Sequence, residues 1–201
     1  MRGCGVVAGE SGAVGSERSG AAPKSGLFIF LHYSAPMSDS DSLEISVREA
    51  RTSAEWADAA ALVEAYAQTL GPSACVKDLS DELTQLPLRY GPPLGGLVVA
   101  YVDGTAAGCC ALRPLPETDH TNACEMKRLY VRPEHRKLGL GHALVAAVLE
   151  NARVSGYSCV LLDTLDEMEA ARALYEEMGF VEIPPYAQSP IPGAHHLKVD
   201  L

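Results

Sequence analysis

From residue 43 onward, apolar and polar positions keep changing their period, and each change predicts an element. Leu43, Ile45 and Val47 alternate with Glu44, Ser46 and Arg48, the period of a half-buried strand. Thr52 and Glu55 then stand at capping-box spacing. Trp56, Ala59, Val63, Tyr66 and Leu70 follow on one helical face until Gly71-Pro72 ends it. A shorter helix is expected over residues 79–86. Two apolar runs, 94–102 and 105–113, meet at Asp103-Gly104 and predict an antiparallel hairpin. After them come a strand over 124–131, an amphipathic helix over 140–155 ended by Gly156, a strand over 158–164 and a helix over 167–178 ended by Gly179. Residues 180–183 and 195–201 read as closing strands around a Pro-rich loop, 184–193.

A strand-helix-strand crossover beside hairpin strands implies a mixed α/β sheet with helices packed on it, because parallel neighbours need the crossover and hairpin partners do not. One domain over residues 43–201 accounts for all of it. Residues 1–42 are rich in Gly, Ser and Ala, lack a sustained apolar period and are expected to be a disordered extension. A chain starting at Met37 is expected to lose nothing structural.

Composition narrows the partners. The 201 residues carry a net charge of -10, which argues against nucleic acid, since phosphate neutralisation needs clustered Lys and Arg. The early apolar run, 27–31, is too short for a secretion signal or a membrane span. Six cysteines form no C-x-x-C pair, and four lie in apolar strand-like runs. A reducing, cytoplasmic setting without a metal site follows as the expectation.

One segment departs from this acidity. Residues 125–142 hold five Lys or Arg against two Glu. Within them Arg136-Lys137-Leu138-Gly139-Leu140-Gly141 lies between a strand and a helix, where free N–H groups and the positive end of the helix dipole meet. Glycine at 139 and 141 removes side chains that would hold a phosphate off the backbone. A plain strand-to-helix turn with solvated Arg136 and Lys137 is the alternative. A dinucleotide fingerprint fails at Leu144, where it needs glycine, and a Walker loop lacks its Gly-Lys-Ser/Thr.

This run resembles the R/Q-x-x-G-x-G/A signature of the GNAT superfamily of N-acetyltransferases. Leu-Tyr-Val-Arg-Pro before it and Ala-Arg-Ala-Leu-Tyr-Glu-Glu-Met-Gly-Phe after it are typical strings of that superfamily. The resemblance spans about residues 44–201 and implies a single GNAT acyl-CoA N-acyltransferase domain with the succession β-α-α-β-β-β-α-β-α-β-β. It further implies acetyl-CoA as co-substrate and an amine acceptor. The backbone of Leu129, Tyr130 and Val131 would pair with the pantetheine arm, and Lys137, Leu138, Gly139, Leu140, Gly141 and His142 would cradle the pyrophosphate behind Arg136, the leading basic residue. A strand rising about 3.3 Å per residue then puts the thioester near Glu125.

Amide formation from a thioester needs a neutral amine, a stabilised oxyanion and a proton for the departing sulfur. By resemblance, Glu125 matches the base of histone-modifying members, Asp163 the acidic position of some ribosomal-protein acetylating members, and Tyr175 the phenol that protonates the CoA sulfur. Each has a plainer reading: a surface Glu125–Lys127 salt bridge, an Asp163 that turns the chain or caps a helix, and a Tyr175 packed in the stripe with Ala171, Leu174 and Met178. Met168 stands where many members carry a cofactor-contacting Asn. Cys124 is expected in the core, and His195 and His196 are expected as solvated strand-edge residues. The acceptor is read as a small or cationic amine. A protein lysine or N-terminal amine and a non-catalytic acyl-CoA sensor are the alternatives, and the oligomeric state, a homodimer included, stays open.

Overall fold

The computed structural model describes residues 28–30, 43–70, 79–116, 118–186 and 193–201. In chain order the elements are β1 Phe28–Phe30, β2 Ile45–Glu49, α1 Ser53–Thr69, α2 Leu79–Thr84, α3 Leu86–Tyr90, β3 Gly96–Val102, β4 Thr105–Pro114, β5 Ala123–Val131, a 3-10 turn Pro133–His135, α4 Leu140–Val154, β6 Cys159–Leu165, α5 Glu169–Glu177, β7 Val181–Ile183 and β8 Ala194–Asp200. Among the described residues the strands form one mixed sheet in the order β1-β2-β3-β4-β5-β6-β8-β7, in which only β5 and β6 are parallel.

Local chemistry sets these bounds. The amide of Thr52 donates to Glu55 Oε2 at 2.9 Å and the Glu55 amide donates to Thr52 Oγ1 at 3.3 Å, so both halves of the capping box start α1. At the hairpin, Asp103 (φ 48°) and Gly104 (φ 75°) both take the left-handed conformation that a two-residue turn with right-handed strand twist requires. The helix expected over 79–86 is two helices. Pro87, in the first turn of α3, lacks the N–H that would continue α2, so the chain restarts at Gln85.

A second difference lies at the amino-terminal side. Phe28–Phe30 pairs antiparallel with β2 through Ile29↔Val47, so those three residues belong to the sheet rather than to a disordered extension. Met37 and the remainder of residues 1–42 lie outside the described residues.

Two apolar clusters sandwich the sheet. On one face α4 buries Leu140, Leu144, Val145 and Val148 against Val98, Cys110, Leu112 and Met126, joined by Tyr175 and Phe180 from the α5 side. On the other, Ala59, Leu62 and Val63 of α1 with Leu86 and Tyr90 of α3 cover Leu97, Val99, Tyr101 and Ala111. β3 is therefore buried along its whole length, and side chains alternate strictly between the two clusters. A third, smaller cluster of Ala123, Cys159 and Leu161 lies under Ile183 and Tyr186, beyond the reach of α1.

Candidate active site

β5 and β6 pair over only three positions, Ala123↔Cys159, Cys124↔Val160 and Glu125↔Leu161. Beyond them β5 stays with β4 as far as Gly108↔Val131, while β6 stays with β8 as far as Leu165↔Ala194. The sheet therefore forks after Glu125. The cause is a bulge: Cys109 faces Tyr130 but Ala111 faces Lys127, so Arg128 and Leu129 oppose the single Cys110. Arg128 sits at φ 59°, a left-handed conformation that bends β5 away from β6.

The helix after β5 begins at the open end of this fork. Its N-cap, Gly139, has φ 74° and makes no side-chain capping bond. The first helical bond runs from the Ala143 amide to the Gly139 carbonyl at 3.1 Å, leaving the N–H groups of Leu140, Gly141 and His142 without an intrahelical acceptor. Arg136 and Lys137 are exposed beside them, and Arg136 Nε donates to the Val131 carbonyl at 3.2 Å. This donor set, cationic side chains around unpaired amides at a helix N-terminus, fits a pyrophosphate. The two glycines serve different ends. Gly139 supplies the backbone conformation, whereas a Cβ at Gly141 would stand 3.3 Å from Leu174 Cδ2, so Gly141 lets α4 approach α5.

At the closed end, the expected base candidates share one ammonium. Lys127 Nζ lies 3.0 Å from Glu125 Oε1 and 3.1 Å from Asp163 Oδ1, spanning the two strands just where they part. Glu125 is 4% exposed, which places its ion pair inside the protein rather than on the surface. Arg113 donates to Glu125 Oε2 through Nε at 2.7 Å and Nη2 lies 2.6 Å from the same oxygen. The Tyr186 hydroxyl donates to Oε1 at 3.2 Å. Both Glu125 oxygens are thus occupied by donors. Asp163 is about one-third exposed, with Oδ1 held by Lys127 and no bond to the following helix.

Tyr175, in α5, packs into the α4 cluster. It is 6% exposed, packs 5.6 Å from Phe180 between ring centroids, and its hydroxyl makes no hydrogen bond among the described residues. Burial pushes its phenol well above the ordinary range, with the charge of Asp163 adding to the shift. Tyr66 arrives from α1 on the opposite face. Its phenol is also raised, by burial first, and it too feels Asp163. The two phenols therefore lie on opposite faces of the sheet, Tyr175 in the α4 cluster and Tyr66 against the α1 cluster.

The remaining expectations sort by burial. Leu129 and Val131 pack against the α4 cluster, while the Tyr130 ring turns to the other face, 5.9 Å from Tyr66. Cys124 is fully buried, donates to the Cys159 carbonyl and has its thiol pushed up to about 12 by burial, as a core residue. The expectation of a solvated ring fails for His196, while the His195 side chain keeps 20% exposure. His196 is 6% exposed, edge-on to Tyr186 at 5.2 Å, and its ring nitrogens find no partner among the described residues. His195 bonds Asp166 at 2.7 Å and Glu182 at 2.9 Å. Met168 is the N-cap of α5 and makes no side-chain capping bond. Sequence reading missed Arg113, Tyr186 and Tyr66 as site residues. Strand alternation brings Glu125 and Lys127 to one face, but Arg113 joins them only through the β4–β5 register and Tyr186 through a loop. Among the described residues no group of His, Cys, Asp or Glu is arranged to hold a metal ion, and no helix is long and apolar enough to cross a membrane.

The family model described as "Acetyltransferase (GNAT) family" matches residues 59–180. An uncharacterised N-acetyltransferase of Schizosaccharomyces pombe is 38% identical over 158 residues, covering 78% of this chain and 95% of its own length. Among solved structures, an acetyltransferase of Streptococcus agalactiae superposes with a TM-score of 0.64 at 18% identity, over 78% of this chain and 98% of that one. The protein yncA of Salmonella typhimurium, solved with its cofactor acetyl-CoA, superposes with a TM-score of 0.58 at 19% identity, over 78% and 93%.

Proposed function

The chain belongs to the GNAT acetyltransferase family, and we propose that it moves the acetyl group of acetyl-CoA to a primary amine by direct attack in a ternary complex. The fork between β5 and β6 carries this reading, because it joins the unpaired amides of α4 at one end to Lys127 and Asp163 at the other. A structural neighbour holding acetyl-CoA supports the same co-substrate.

In this reading Lys137, Leu138, Gly139, Leu140, Gly141 and His142, with Arg136 at their head, bind the pyrophosphate. The β5 backbone at Leu129, Tyr130 and Val131 takes the pantetheine arm. Since the Val131 carbonyl already accepts from Arg136, the hydrogen bonds from the arm fall mainly to Leu129 and Tyr130. Asp163 is favoured over Glu125 as the base. Glu125 has both oxygens filled by Arg113, Lys127 and Tyr186 and acts by fixing Lys127, whereas Asp163 keeps an oxygen free for the proton that the attacking amine must lose. A β5 backbone N–H receives the oxyanion.

As the carbon–sulfur bond breaks, Tyr175 donates its proton to the departing sulfur. Its raised phenol keeps that proton at neutral pH. The acidity of the chain favours a small or cationic amine as acceptor, by steering.

Thiol release from acetyl-CoA across polyamines, aminoglycosides, amino acids and lysine peptides tests the reading. At least one amine is expected to stimulate release. Asp163→Asn and Tyr175→Phe are each expected to lower kcat by about 10²–10⁴-fold with the melting temperature little changed. Binding of CoA with no stimulating amine would favour the sensor, a Tyr175→Phe enzyme with normal turnover would make Tyr175 a packing residue, and a protein that does not bind CoA would remove the reading altogether.

A further inference from the structure

On the α1 face, a second ion pair stands apart from the residues assigned above. Glu82, in α2, is 4% exposed. Its Oε1 accepts from Arg128 Nε at 2.8 Å, its Oε2 pairs with Arg128 Nη2, and the Tyr90 hydroxyl of α3 donates to Oε1 at 2.8 Å. Burial opposes the Glu82 charge, yet the Arg128 bonds outweigh it and the carboxyl is held below its usual value. Arg128 is the residue at φ 59° in the bulge that opens the fork. An arginine has no intrinsic preference for that conformation, which costs a side-chain-bearing residue what it does not cost glycine. The bulge carbonyls are also engaged: Cys109 Sγ donates to the Arg128 carbonyl at 3.4 Å and Cys110 Sγ to the Lys127 carbonyl at 3.8 Å.

We propose that Glu82 and Arg128 are positioning residues for the acyl-CoA groove: the pair pins the left-handed turn of β5 from the side, so helices α2 and α3 and the backbone that receives the pantetheine arm form as one unit. Neither side chain touches the reacting atoms. α2 and α3 lie against the opposite face of the sheet from α4, and the pair is the polar connection between them and the bulge. This rests on the acetyl-CoA reading above.

Titration of the intact chain with CoA, read by calorimetry at a temperature well below the melting transition, tests it. Glu82→Gln keeps the shape and removes the charge, and is expected to raise the Kd for CoA at least tenfold. Adding Arg128→Gly, which accepts φ 59° without a clamp, is expected to bring the Kd back within threefold of wild type, whereas adding Arg128→Ala is not. If Glu82→Gln does not fold, Arg128→Gly against Arg128→Ala is read in the same way. A Glu82→Gln protein that melts earlier but binds CoA as wild type makes the pair a packing device and overturns the inference, as does a tenfold loss that glycine fails to reverse. A wild type that does not bind CoA overturns the family reading and this inference together.

Discussion

Two carboxylates at the fork divide their work by how many partners each already has. Glu125 meets Arg113, Lys127 and Tyr186 while almost fully buried, so replacing it takes the carboxylate from Arg113 and the Tyr186 hydroxyl and leaves Lys127 with Asp163 alone. Asp163 has one partner and more water. Glu125→Gln is therefore expected to cost about 1–3 kcal/mol of stability, the range for stranding buried hydrogen-bonding groups, discounted from a fully buried ion pair because Arg113 is 38% exposed. Asp163→Asn is expected to stay within about 0.5 kcal/mol of wild type, as exposed pairs do. Urea unfolding midpoints separate the two, and equal losses would contradict the difference in burial. The sequence contained part of this. Alternation puts Glu125 and Lys127 on one strand face, and the basic island from 125 to 142 is visible from counting. Burial was not legible, because it depends on Tyr186 folding back from a loop to cap Glu125. His196 illustrates the same limit: two adjacent histidines look alike in a string, yet alternation buries one and leaves the other to bind Asp166 and Glu182.

Elements at the edge of the site are joined by that second histidine. His195 is the second residue of β8, Asp166 lies in the turn after β6, and Glu182 lies in β7, so one imidazole connects three segments beside the cleft between α5 and β7. The Asp166 bond and then the Glu182 bond raise the His195 pKa, and the His195 bond holds the Asp166 carboxyl below its usual value. Arg172 also faces the pair and opposes the histidine charge. For a raised histidine, the stabilisation is complete below the unfolded value of about 6.5 and fades as pH climbs through the folded value. For a lowered aspartate, it is present above about 3.9 and fades as pH falls through the folded value. The clasp is thus strongest between roughly pH 4 and 6.5. The melting-temperature difference between wild type and His195→Gln is expected to be largest near pH 5–6 and to shrink by pH 8; a difference that grows with pH would reverse the sign. Elements themselves were the most legible level. Capping at Thr52 and the Asp103-Gly104 turn announce themselves through residues with a single local use, and only Pro87 divided a helix that apolar spacing had left whole.

At the scale of the whole molecule, the order of elements could be read from changing periods, but the fork could not. It arises because β5 gains one residue on β4 and thereby turns from β6, a property of two registers at once that no single segment encodes. The opposite margin of the sheet holds a comparable surprise, since residues 28–30 add a strand to β2 from within a stretch whose composition suggested disorder. That strand lies at the far edge, with β2, β3 and β4 between it and β5. Removing residues 1–36 is consequently expected to leave the Kd for CoA unchanged, because the fork, the α4 N-terminus and Lys127 all lie beyond those intervening strands. It should nevertheless expose the hydrogen-bonding edge of β2, which carries the alternation of Ile45 and Val47. A bare strand edge is a template for another chain, so the shortened protein is expected to self-associate more readily with concentration, as measured by sedimentation velocity. Unchanged association would mean that β1 does not shield this edge, and weakened CoA binding would mean that the two sides of the sheet are coupled through its interior.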